Sequence, residues 1–265
     1  MVEISGKHAD VKGFKLYYEE LGKGPPLILI HGGISTSRSG WEPCYKFFAE
    51  HFRVIALDSR GHGKSENPSK ELSYRLMADD TVAFIEELRL EDPLVCGWSD
   101  GGQIALEIGI EYPKAAKALV AGGVLSEMSN HYIEGMRAWG LNGPGDVDVQ
   151  KLQETVPEFA ASLKGLHSHV YGEDYWKDLL TISSIMWFNP ESFPQERIRK
   201  IATPTLIIQG DRDEAVPLDD AVKIFKMLPK GELAIIAGAG HDGVLTQAPK
   251  FAGAIIEFLK RTLDL

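Results

Sequence analysis

Short apolar runs bounded by turn residues recur along the chain, with helix-spaced patterns between them. Runs at 14–19, 26–31, 53–58, 94–97, 117–124, 205–210 and 232–237 have the length and composition of strands. Within 74–88, the residues Leu76, Met77, Thr81, Phe84, Ile85 and Leu88 recur at near-helical spacing, and 101–112, 221–228 and 251–263 read the same way. Strands alternating with helices predict an α/β fold in which helices flank a largely parallel sheet.

The alternation breaks once. Between Ser126 and Pro190 no strand pattern appears, and Gly and Pro interrupt several short helical patterns. The expected organisation is therefore a core of residues 1–125 and 191–265 carrying a helical cap inserted at 126–190. The insertion holds Trp139, Trp176 and Trp187 together with Tyr132, Tyr171, Tyr175 and Phe188. So many aromatic side chains outside a sheet must bury against the core or against a ligand.

Composition narrows the partners. With 44% hydrophobic and 25% charged residues, the 265-residue chain has the balance of a soluble globular protein. A formal charge of -10 disfavours nucleic acid and anionic lipid, both of which are bound through excess Lys and Arg, and favours a small-molecule substrate. Met1 to Lys15 lacks the unbroken apolar stretch of a secretory signal, and no run reaches the ~18 apolar residues of a membrane span. Cys44 and Cys96 are the only cysteines, and Cys96 sits in a buried-strand pattern, so no disulfide framework is expected. The cytoplasm is the expected compartment; nothing in the sequence sets the oligomeric state.

Three glycine-flanked positions carry candidate chemistry. Gly97-Trp98-Ser99-Asp100-Gly101-Gly102 falls where a buried strand meets a helix. A serine hydroxyl is a poor nucleophile unless a sharp turn exposes it within reach of a base, and glycines two residues to either side leave room for that turn. Downstream, 204–213 is a buried strand delivering Asp211 and Asp213 at its C-terminal end, the edge where open α/β sheets place their sites. Ala237-Gly238-Ala239-Gly240-His241 ends the next strand at the same edge, with room for one helix and one strand between Asp213 and His241. Upstream, an apolar strand runs into His31-Gly32-Gly33; His31, at the strand end beside two glycines, reads as a structural histidine ordering the loop.

The order Ser, Asp, His, with the turn Asp58-Ser59-Arg60-Gly61-His62-Gly63-Lys64-Ser65, resembles the α/β-hydrolase superfamily over nearly the whole chain. Gly-Trp-Ser-Asp-Gly-Gly is similar to small carboxylesterases and to the biphenyl-hydrolase-like, or valacyclovir-hydrolase-like, group. The resemblance implies a mostly parallel eight-stranded sheet with a cap before the strand that carries the catalytic acid. It implies Ser99 as nucleophile, His241 as general base and, in preference to Asp211, Asp213 as the acid. It further implies an oxyanion hole from the Gly33 and Asp100 amides, where removing one donor costs ~3 to 4 kcal/mol. The expected activity is serine-esterase cleavage of small carboxylic esters through an acyl-enzyme, with α-amino-acyl esters, lactones or ligand binding without turnover as alternatives. Trp98, beside Ser99, and Trp139, Trp176 and Trp187 are the candidate substrate contacts. No metal or organic cofactor is expected.

Other readings are weaker. Gly61-His62-Gly63-Lys64-Ser65 ends like a phosphate-binding loop, but the position of its first glycine is Asp58, whose charge would face the phosphates. His131, His167 and His169 lack metal-ligand spacing and read as solvated or supporting histidines. The acidic pairs Glu19-Glu20, Asp79-Asp80 and Asp219-Asp220 read as solvated faces.

Overall fold

The computed structural model describes residues 4–265. Its main sheet has eight strands: β1 (Ser5–Val11), β2 (Phe14–Leu21), β3 (Pro26–Ile30), β4 (Arg53–Leu57), β5 (Leu94–Trp98), β6 (Ala118–Gly122), β9 (Thr205–Gly210) and β10 (Gly231–Ile236). They lie in the order β1-β2-β4-β3-β5-β6-β9-β10. Pairings β1–β2 and β2–β4 are antiparallel and the rest parallel. Helices α1 (Ser37–Ala49), α2 (Tyr74–Glu87), α3 (Asp100–Glu111), α8 (Leu218–Met227), α9 (Gly243–Thr246) and α10 (Ala248–Thr262) complete this part.

Strand periodicity of two sorts the apolar residues onto two faces. Ile28, Ile30, Ile55, Val95, Leu119 and Ile207 join a core with α2, α3 and α8. Their neighbours Leu27, Leu29, Val54, Cys96, Val120 and Ile208 point the other way, into a second core with α1 and α10. The same alternation corrects the reading of Glu19-Glu20. Glu19 points inward at 3% exposure, paired with Arg38 at 2.8 Å, while Glu20 pairs with Lys7 and Arg53 nearer the surface. Asp80 is likewise buried, in a two-bond pair with Arg60 at 2.6 and 2.9 Å, and Asp220 accepts the amide and hydroxyl of Ser126.

Two core elements go beyond the sequence expectation. β1 presents Ser5, Gly6, Lys7 and His8 to solvent and only Ala9 and Val11 to the core, so an edge strand blunted by polar residues carried no apolar run. Helix α1 buries Trp41, Cys44, Tyr45 and Phe48 at helical spacing, but Gly40 and Pro43 interrupt the pattern. Its start is secured by a reciprocal cap between Thr36 and Ser39. The two cysteines are buried free thiols.

Between β6 and β9 the chain leaves the sheet. It forms α4 (Asn130–Ala138), α5 (Val149–Thr155), α6 (Pro157–His167) and α7 (Tyr175–Trp187), with a two-stranded ribbon of β7 (Leu141–Gly143) and β8 (Asp146–Val147) that the sequence pattern does not show. Strands of three and two residues are too short for period-two alternation to register. No helix among the described residues is long and apolar enough to cross a membrane.

Candidate active site

Ser99 links β5 to α3 with φ +55° and ψ −119°, a left-handed conformation that L-residues avoid unless the surroundings enforce it. The flanking glycines follow from sterics. A Cβ on Gly97 would collide with the Gly101 backbone, and one on Gly101 with the Ile30 carbonyl. The turn is tied down by Ser99 N–H donating to the Gly122 carbonyl at 2.7 Å.

From this turn the serine hydroxyl faces His241, whose Nε2 lies 3.1 Å from Ser99 Oγ. On the other side of the ring, Nδ1 lies 2.8 Å from Asp213 Oδ2. The Asp213 side chain is fully buried, and its charge is met by four donors: His241 and Gln209 Nε2 on Oδ2, and the Ala215 and Val216 amides on Oδ1. Asp211 does not reach His241; it accepts the Gly238 amide at 2.6 Å and holds its own turn. The sequence reading missed Gln209, whose only signal was a polar residue inside a buried strand.

The loop after β3 lies against the serine, since a Cβ on Gly32 would stand 3.2 Å from Ser99 Cβ. Gly33 and Asp100 both line the cavity beside Ser99. Ile34, next in the loop, has φ +50°, which for a β-branched residue costs ~1–2 kcal/mol that the surroundings must offset. His31 is buried, donating from Nδ1 to the Gly32 carbonyl at 2.7 Å and accepting the Ser59 amide on Nε2 at 2.9 Å. Asp58 accepts the Ser37 and Lys64 amides at 2.7 and 3.0 Å, so it joins two loops and leaves no cradle for phosphate.

Asp100 does more than begin a helix. Its carboxylate accepts Tyr74 Oη–H at 2.7 Å and Trp187 Nε1–H at 2.9 Å, and burial raises its pKa above the ordinary carboxylate value while these two donors oppose the rise. Tyr74 was not singled out by the sequence reading, in which it only begins the helical segment 74–88.

A cavity of about 990 Å³ opens over Ser99 between the core and the helices that follow β6. Met136, Trp139, Leu152, Phe159, Leu180 and Trp187 supply much of its apolar wall. The candidate contacts divide. Trp139 and Trp187 line the cavity; Trp98 and Trp176 do not. Trp98 turns behind the site, donating Nε1–H to the His241 carbonyl at 3.1 Å and packing edge-on against Phe251. Trp176 shares a face of α7 with Trp187 but stands eleven residues away, about 16 Å along the axis, where it is buried among the helices. Charged lining groups are mostly acidic: Asp100, Glu134, Glu214 and Asp242, against Arg212.

The histidines of the inserted segment do not meet. His131 donates to the Glu214 carbonyl at 2.8 Å, His169 is exposed, and His167, read from the sequence as solvated or supporting, is 1% exposed, because α6 lays it against the loops at Ile34 and Gly63. No cluster of metal-ligating side chains occurs among the described residues.

Comparison with known proteins agrees with this architecture. A hydrolase of 2-hydroxy-6-oxo-6-(2'-aminophenyl)hexa-2,4-dienoic acid from Metapseudomonas resinovorans is 27% identical, over 96% of this chain and 90% of that protein. A pimeloyl-[acyl-carrier protein] methyl ester esterase from Nitrosospira multiformis is 25% identical, over 92% and 98%. The human serine hydrolase BPHL is 25% identical, over 97% and 87%, in keeping with the biphenyl-hydrolase-like resemblance of the serine turn. The profile of the alpha/beta hydrolase family matches residues 27–254, and the chain belongs to that family.

Proposed function

We infer that this hydrolase cleaves small carboxylic esters with Ser99 as nucleophile. The observation that carries the reading is the unbroken line Ser99 Oγ, His241, Asp213 ending in a largely apolar cavity. His241 takes the Ser99 proton as the hydroxyl attacks the ester carbonyl; the oxyanion then rests on the Gly33 and Asp100 amides. The protonated ring, held by Asp213, gives its proton to the leaving alcohol and afterwards deprotonates the water that frees the acid. Gln209 and the two loop amides hold the Asp213 carboxylate in place for this task. The inserted helices serve as a cap that encloses the acyl chain and excludes water.

The Metapseudomonas resinovorans relative is named for a dienoic acid, and such a substrate carries a carboxylate. The acidic lining favours a neutral or cationic substrate over that anion, because Arg212, the strongly basic lining residue, is itself 76% exposed. The same observation supports a second reading, α-amino-acyl esters, whose ammonium would form a charge-assisted bond to Asp100 in addition to those from Tyr74 and Trp187.

An ester panel varied independently in acyl and alcohol parts tests both readings. Plain esters are expected to turn over, and Ser99→Ala to lower kcat by at least ~10³-fold. If Asp100 recognises an amine, Asp100→Asn reduces kcat/KM for aminoacyl esters at least tenfold more than for plain esters of the same alcohol. An equal loss removes the aminoacyl reading, and a wild type inert toward the whole panel removes the ester reading.

A further inference from the structure

His167 sits on the last turn of α6, yet both of its ring nitrogens are spent on the core. Gly63 N–H donates to Nδ1 at 3.0 Å, and Nε2–H donates to the Ile34 carbonyl at 3.2 Å. One acceptor and one donor fix the ring as the neutral Nε2–H form. Burial and the neighbouring His62 hold its pKa down to about 3, so the ring is neutral at neutral pH.

Ile34 follows Gly33 directly, and its left-handed φ must be enforced from outside. The other hydrogen bonds of this loop come from the core, while the Trp187 ring of α7 packs beside Gly33 without bonding to it. His31 holds Gly32, Ser39 and Thr36 bind each other, and Asp58 holds Ser37. Among the described residues of the inserted segment, His167 is the one whose side chain hydrogen-bonds residues 31–36. Release of the Ile34 carbonyl lets that residue relax to an ordinary negative φ. Such a relaxation would turn the Gly33–Ile34 peptide and, through the adjoining Gly33 backbone torsions, the Gly32–Gly33 peptide that carries the Gly33 N–H.

We propose that His167 is a positioning residue for the oxyanion loop, holding Ile34 in its strained conformation so that Gly33 N–H points at the reacting carbonyl, and so making the oxyanion hole depend on the docked cap. The inference rests on the assignment of Gly33 to the oxyanion hole. A cap that shifts away from the core would carry His167 with it and disarm the hole while leaving Ser99, His241 and Asp213 in place.

Two variants separate the two bonds. His167→Gln keeps a donor at the distance of Nε2 and so keeps Ile34, whereas His167→Asn keeps an acceptor at the distance of Nδ1 and so keeps Gly63 but loses Ile34. Amide hydrogen exchange of residues 31–36, read against the β5 amides of the same sample, needs no substrate. Exchange in the loop is expected to rise at least tenfold in His167→Asn and to stay within threefold of wild type in His167→Gln. In parallel, kcat on a plain short ester falls about tenfold in His167→Asn with KM within threefold, and recovers in His167→Gln. Equal loop exchange in the two variants, or a rise shared by the β5 amides, overturns the proposal. A wild type that hydrolyses no ester defeats the ester reading alone and leaves the exchange result to decide the positioning role.

Discussion

Asp211 and Asp213 lie two residues apart on one loop, and hydrogen bonding alone gives them different work. Asp213 faces four donors, one of them His241, while Asp211 caps the Gly238 turn. Composition and spacing put both carboxylates at the right sheet edge; only the family resemblance preferred Asp213. In the sequence Gln209 is only a polar residue inside a buried strand, and its partner does not show, because its amide reaches Asp213 and the Val216 carbonyl through the fold of the turn that follows. Asp213→Asn is expected to lower kcat by about 10⁴-fold, since an amide stabilises the wrong imidazole tautomer and cannot support the imidazolium. Asp211→Asn should stay within tenfold of wild type. Steady-state kinetics on one ester decides it, and a larger loss at Asp211 would reverse the assignment.

At the scale of elements, what the sequence shows depends on how much of each element is buried. Strands buried on both faces appear as unbroken apolar runs, so β3, β4, β5 and β9 are found to within a residue or two. The exposed edge strand β1 and helix α1, broken by Gly40 and Pro43, leave weaker patterns. The inserted helices are legible as aromatic-rich helical segments, but not which tryptophan faces the cavity, because that depends on position along α7 as well as on its face. The division of roles has a measurable consequence. Trp176→Ala should cost ~3–5 kcal/mol of stability, as for other buried aromatic truncations, and leave the acyl chain-length profile unchanged. Trp139, 43% exposed and lining the cavity, should do the reverse: its alanine variant melts near wild type and shifts kcat/KM toward longer acyl chains. Thermal melts with a chain-length series check both, and an unchanged profile in the Trp139 variant would remove it from the substrate pocket.

At the scale of the whole molecule, a row of buried imidazoles joins the loops after β3 and β4 to α6. His31 and His62 lie 5.0 Å apart and His62 and His167 5.7 Å apart, ring centre to ring centre. Burial lowers their pKa values to about 4, 3 and 3, from the 6.5 each has when unfolded. As pH falls below 6.5, the unfolded chain takes up protons that the folded chain refuses, so stability is lost with acidification through the window from 6.5 to about 4. Each histidine contributes up to ~1.4 kcal/mol per pH unit there. Asp58, Asp100 and Glu107, raised by burial, act in the opposite direction, so the comparison must be made against a variant in which they are unchanged. Urea unfolding of wild type and His62→Gln at pH 7, 6 and 5 should show the wild type losing ground to the variant by about 1 kcal/mol between pH 6 and 5. A stability difference that does not change with pH would mean that His62 titrates alike in the folded and unfolded states.

The central claim is that Ser99 is an activated nucleophile, and covalent chemistry reads it most directly. Incubation with a fluorophosphonate followed by peptide mass mapping is expected to give one adduct, on Ser99, and no adduct in the Ser99→Ala variant. An unmodified wild type, or an adduct that persists when Ser99 is removed, would contradict the account.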